Sequence, residues 1–138
     1  MDNTLMLLGL AKRAGRLEAG EEPVGSAARA REARLIVVAR DAAENTYRRV
    51  RHFADAGGTL WVSVPYTKAE LGGAVGRTSC AMLAVTDAGL ASALAEKLAR
   101  TDPEKFSQTA ALLRERSEKM EKRAAEQRAH DRNRRRGK

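Results

Sequence analysis

The sequence predicts an α/β layered fold with helices on both faces of a small sheet. Short, continuous apolar runs occur at residues 35–39 and 81–85. Amphipathic segments at helical spacing stand between such runs, and glycines close them at Gly15, Gly57-Gly58 and Gly76. The two patterns alternate through residue 100, as layered α/β folds require. The chain of 138 residues suffices for one compact domain with a core. Aromatic residues are only 4%, so Leu, Val, Ile and Ala must build that core.

Taken in order, Leu7, Leu10, Ala11 and Ala14 fall at helical spacing and Gly15 is a natural stop. Residues 16–19 are a short strand candidate. Residues 20–32 read as a second helix with Val24, Ala27 and Ala28 as its buried stripe; Pro23 is tolerated because it lies in the first turn. The run Leu-Ile-Val-Val-Ala at 35–39 is a strand buried on both faces. Residues 41–56 form a third helix, with Tyr47, Val50 and Ala54 inward and Arg48, Arg49 and Arg51 mostly outward. Residues 59–64 are the next strand. A short helix over 67–75 is capped by Thr67, with Glu70 completing a capping box. Residues 81–85 are a further strand, and Asp87 caps a helix running to about residue 100.

Asp102-Pro103 marks the expected boundary between a folded unit, 1–100, and a tail, 101–138. The tail carries a weak stripe of Phe106, Ala110 and Leu113 among Glu, Lys and Arg, and is expected to be helical or disordered. Residues 132–138 are almost purely basic, which favours disorder. The formal net charge of +8 suits a polyanionic partner. The tail holds 12 Lys+Arg against 7 Asp+Glu, a net of +5, so it is the stronger electrostatic element.

Several function classes are disfavoured. Cys80 is the only cysteine, so neither an internal disulfide nor a cysteine-type metal site is available. His52 and His130 have no ligand spacing, and no metal is expected. No leader pattern or membrane-length apolar run appears, so a reducing cytoplasm is the expected location, with no membrane partner. Cys80 reads as a buried structural thiol at a strand start. Nucleophile elbow, zinc-protease and dinucleotide fingerprints are absent. No catalytic residue, cofactor or small-molecule substrate is expected.

Three segments remain as candidate sites. At Gly20-Glu21-Glu22 a helix opens with free backbone N–H groups, which either dock a phosphate or merely turn a strand into a helix. Glu21 and Glu22 repel phosphate but can accept hydrogen bonds from base N–H groups. Residues 39–49 follow the carboxyl end of the buried strand, where open α/β sheets bind ligands. There Asp41 reads as a helix cap, Asn45 and Thr46 either contact a ligand or satisfy the turn, and the arginines hold phosphates or form a solvated face. The glycines at 72, 73 and 76 are out of order for a phosphate loop and read as tight helix packing.

The segments LGLAKRAGRLEAGEE, RLIVVARDAAENT and ELGGAVGRTSCAMLAVTDAGLA, in this order and spacing, resemble the kink-turn-RNA-binding large-subunit ribosomal protein "seven-Ae" family, within it most closely the bacterial YlxQ-like branch. The resemblance covers residues 5–94. It implies a three-layer α/β/α sandwich with a four-stranded mixed sheet. It also implies a non-catalytic, ribosomal or ribosome-associated protein that recognises structured, kink-turn-like RNA, with ribosomal RNA and the ribosome as its partners. The family's RNA contacts, carried onto this chain, fall on Gly20, Glu21, Glu22 and Ser26, with Arg29 and Arg31 as helpers on the same helix, and on the loop Arg77, Thr78 and Ser79. Glu22, Pro23 and Ser26 stand where typical members have Asn, Glu and Lys, and serine has neither the charge nor the reach of a phosphate-anchoring lysine. The alternative is a protein-interaction module of the same fold that has lost specific RNA recognition and binds a protein partner through its tail.

Overall fold

The computed structural model describes residues 2–137. Its elements are α1 (Asn3–Arg13), β1 (Leu17–Ala19), α2 (Glu21–Arg29), β2 (Leu35–Ala39), α3 (Glu44–Gly57), β3 (Leu60–Val64), α4 (Lys68–Val75), β4 (Met82–Val85), α5 (Ala88–Thr101) and α6 (Pro103–Arg136). The sheet order is β1-β4-β2-β3. β4 pairs antiparallel with both β1 and β2, and β2 pairs parallel with β3, so the sheet is mixed.

β2 is the central strand, and all five of its residues are inaccessible to solvent. Its alternation divides the core. Leu35, Val37 and Ala39 pack with α1, α4, α5 and the start of α6, whereas Ile36 and Val38 pack with α2 and α3. The three-layer α/β/α arrangement is the result. β3 takes the edge and is only partly buried; Trp61 on it meets Tyr47 of α3 edge-on, 6.3 Å between ring centroids. The Tyr47 hydroxyl donates to the Ala39 carbonyl at 3.0 Å and lies 2.8 Å from Ser63 Oγ, fastening α3 across two strands.

Several local expectations shift. α1 buries Thr4, Leu5, Leu8, Gly9 and Ala11, while Leu10 is 52% exposed and Ala14 lies outside. Apolar residues at 5, 6, 7, 8 and 10 fit more than one helical phase, and contact with α4 selects the one that turns Gly9 towards Ala74. α2 ends at Arg29, short of Glu32. Asp41 does not cap α3, whose N-cap is Ala43 with no side-chain bond. Its carboxylate instead accepts the Lys68 N–H at 2.8 Å and heads α4, where the Thr67–Glu70 capping box also forms.

The core continues past Asp102-Pro103. Asp102 ends α5 and caps α6 through the Lys105 N–H, and the two helices pack side by side. Phe106, Ala110 and Leu113 are 1%, 6% and 2% exposed and belong to the same apolar cluster as β2. The junction therefore separates two helices and does not separate core from tail. Nor are residues 132–136 irregular: they continue α6, and Gly137 caps it. Lys138 lies outside the described residues.

Burying Phe106 and Leu113 contributes ~1.5–3 kcal/mol each, a large share of the ~5–15 kcal/mol typical of a domain. A chain ending at Thr101 is expected to melt about 10 °C or more below the full chain. One ending at Glu126 should melt within a few degrees of it. Thermal unfolding followed by circular dichroism checks both; equal melting of the shorter chain would mean that α6 adds nothing to the core.

Candidate nucleic-acid interface

The register of the sheet brings two of the predicted segments to one end. Met82 opposes Val38 near the carboxyl end of β2, and the Gly20 N–H donates to the Met82 carbonyl at 3.1 Å. Gly20 has φ +98° and ψ 163°, a conformation essentially restricted to glycine. That backbone turn lets α2 start beside the first residue of β4. The Val24 N–H closes the first turn onto the Gly20 carbonyl, and Pro23 has no N–H. No side chain caps the helix. Among the described residues, the amides of Glu21 and Glu22 are thus unclaimed at the positive end of α2.

The loop between α4 and β4 comes to the same place. Arg77 extends from it across Gly20 and donates from Nη1 to the Ala19 carbonyl at 2.9 Å. A Cβ on Gly20 would lie 3.0 Å from that nitrogen. Thr78 and Ser79 follow, both exposed. The loop is held from below by Gly72, where a Cβ would meet the Arg77 carbonyl oxygen at 2.7 Å and the Ser79 nitrogen at 2.8 Å. Close approach of α4 to its own exit loop is therefore the reason for this glycine, whereas Gly73 has open space around it.

Glu21 is tied to Arg49 of α3 at 2.8 Å, with both side chains about half exposed. Such a pair contributes little to stability, ~0–1 kcal/mol, but it orients one carboxylate and occupies one of the candidate arginines. Glu22 and Ser26 are exposed on α2, and the packed side is Val24, Gly25, Ala27 and Ala28. Gly25 fits against the Phe53 ring, where a Cβ would be 2.9 Å from Cζ. The Arg29 guanidinium turns back along the helix to within 3.2 Å of that same position.

Arg31 does not join the group. It follows α2 with φ +58°, and its guanidinium reaches Gly58 at the opposite end of the sheet. The turn is of Schellman type, with the Glu32 N–H on the Ala27 carbonyl and the Arg31 N–H on that of Ala28. Glycine is usual at this position, and arginine there costs ~1–2 kcal/mol. Asn45 and Thr46 lie in the first turn of α3 and make no side-chain hydrogen bond among the described residues.

Cys80 is buried beside the loop, its thiol donating to the Met82 carbonyl at 3.1 Å. Burial pushes the thiol's pKa up, against the charges of Arg77 and Lys12, which draw it down. It is thus a packed neutral thiol. Lys12, at the end of α1, is a cation close to this site that periodicity did not single out. Among the described residues no cluster of His, Cys, Asp and Glu is arranged to hold a metal ion, and no helix is long and apolar enough to cross a membrane.

Residues 2–95 match the family model of the ribosomal protein L7Ae/L30e/S12e/Gadd45 family. The chain belongs to this family. Its similarity to the RNA-binding protein YlxQ of Bacillus subtilis is 36% identity over 92 residues, 64% of this chain and 87% of that protein. A protein of unknown function from Bacillus halodurans has the same fold at a TM-score of 0.64 and 30% identity, over 70% of this chain and 96% of its own. The 15.5 kD RNA-binding protein of Giardia lamblia shares the fold at a TM-score of 0.55 and 20% identity, over 70% and 82%. The family match stops before α6, so the helix that completes this core lies outside the shared region.

The loop geometry gives two neighbouring substitutions opposite signs. Gly72→Ala should destabilise the fold by ~1–3 kcal/mol because backbone must move, and should displace residues 77–79. Gly73→Ala should stabilise it by up to ~1 kcal/mol through helix propensity. Urea denaturation of the two variants checks this; equal effects would show that α4 does not seat the loop.

Proposed function

We propose that this protein is a non-catalytic RNA-binding protein of the ribosome or an accessory to it, acting in the cytoplasm. It holds a kinked segment of structured RNA, ribosomal RNA being the natural source, at the sheet end formed by Gly20, Glu21, Glu22, Arg77, Thr78 and Ser79. The observation that carries this reading is the contact of Arg77 with the Gly20 turn. Two segments more than fifty residues apart become one surface there, with helix amides, carboxylates and a guanidinium side by side.

Each group has a distinct task. The Glu21 and Glu22 amides and the α2 dipole favour phosphate oxygens. The carboxylates accept from the N–H donors of splayed base edges, which A-form duplex does not present. Arg77, anchored through Ala19, supplies charge without a large entropy loss. Recognition of this kind rests on shape and a few base edges, with phosphate contacts fixing the register.

Ser26 is the position that tests the orientation. Ser26→Lys should add one charge-assisted phosphate contact, ~1 kcal/mol or about fivefold in affinity at moderate salt. Ser26→Glu should weaken binding by adding like charge beside Glu22. Stability should hardly change in either, since the side chain is exposed. Titration of the three proteins with one kink-turn RNA and one straight duplex provides the measurement. Equal affinity of the Lys and Glu variants for the kinked RNA would mean that α2 does not face it.

A further inference from the structure

At the opposite end of the sheet from Gly20, four segments enclose a groove of about 350 Å³. That volume falls within the range of ligand clefts. The end is fixed by the register: Val85 opposes Leu35, Leu35 opposes Leu60, and the Arg34 N–H donates to the Val85 carbonyl. Five cations line it: Arg31 and Arg34 between α2 and β2, and Arg116, Lys119 and Arg123 on one face of α6. No carboxylate lines it. Of these cations Lys119 is paired with Glu115 at 3.1 Å, and Asp87, beside Ala88, accepts the Leu90 N–H at the start of α5. Among the described residues, Arg31, Arg34, Arg116 and Arg123 make no ion pair.

Further features of the groove point to an anion. Ala88, the first residue of the 14-residue helix α5, lines it, so that helix turns its N-terminal end, capped by Asp87, towards the groove. Arg34 Nε and Thr59 Oγ1, on two lining residues, are buried without a hydrogen-bond partner. Unsatisfied buried polar atoms are rare in folded proteins. Arg31 keeps a backbone conformation that glycine would adopt without strain, and strain retained at an arginine is an indication of function. Four arginines gathered without an ion pair among the described residues repel one another, and a bound polyanion relieves that repulsion. No aromatic side chain lines the groove, so it offers no stacking platform for a base.

We propose that this groove is a second phosphate-binding site that takes the sugar–phosphate backbone of RNA, independently of sequence. The proposal rests on the RNA-binding reading above and assigns the α6 cations a built site rather than a diffuse attraction. The five residues of β2 set the separation of the two ends at about 16 Å, so one RNA can touch both.

The test compares the full chain with the double variant R116Q/R123Q, titrated with a straight RNA duplex and a kink-turn RNA over a range of potassium chloride concentrations. Both arginines are exposed, so the variant should keep its melting temperature. Its salt slope should fall by roughly 0.7–0.9 for each phosphate it ceases to neutralise, on both RNAs. Arg31→Gly should raise the melting temperature by about 4 °C while lowering affinity for both RNAs; no purely structural role moves those two quantities in opposite senses. Unchanged slopes in R116Q/R123Q overturn the groove. If slopes fall but neither protein prefers the kinked RNA, the groove stands and the reading of the Gly20 end fails. If slopes stay equal while Ser26→Glu weakens kink-turn binding, the Gly20 end stands and the groove fails. Thermal stabilisation by tripolyphosphate that the double variant loses, with RNA slopes unchanged, assigns the groove to free polyphosphate and overturns RNA as its occupant.

Discussion

Complete burial of β2 is the constraint on which the molecule depends. Five consecutive residues with no exposed surface require a hydrogen-bonded neighbour on each edge and an apolar layer on each face. β4 and β3 supply the edges. α2 and α3 cover one face, and α1, α4 and α5 cover the other, completed by the first turns of α6. With both faces covered, the two ends of the sheet offer backbone groups and loop side chains to a partner, beside the partly buried edge strand β3.

The two ends differ in how they are built. At the carboxyl end of β2, a glycine in a conformation closed to side chains lets α2 begin over β4, and Arg77 is laid across it by a loop that Gly72 holds close. Backbone approach sets this site, and its charge is mixed: Glu21 and Glu22 stand beside Arg77, with Arg49 drawn to Glu21. The other end is built from long cationic side chains whose backbones belong to separate elements, and its lining carries no acid. The first suits recognition of a particular shape, and the second suits charge alone.

α6 changes character along its length. Its first turns bury Phe106, Ala110 and Leu113, and Arg114 pairs with Glu96 of α5 at 2.7 Å. Arg116, Lys119 and Arg123 then face the groove, and the remaining turns carry ion pairs such as Arg128–Glu121 along the helix itself. A mixed composition averaged over the segment hides this succession. Three apolar residues at helical spacing form a weak stripe, yet α5 offers them a complementary face, and packing, not stripe strength, decides whether such residues are buried.

Local chemistry was legible in the sequence where a single segment determines it. The capping box at Thr67, the Asp87 cap, the buried run of β2 and the helix-ending glycines each depend on residues a few positions apart, and each takes the predicted form. The motif order was sufficient to indicate the family and its three-layer fold. Tertiary structure alone decided the rest. It chose the phase of α1 among several apolar registers, sent Asp41 to α4, drew α6 into the core, and carried Arg31 away from the Gly20 turn despite their closeness along the chain. Each of those outcomes depends on which distant surface a residue meets. Sequence spacing fixes direction within one element, but the partner across a layer is set only when the whole sheet closes its two faces.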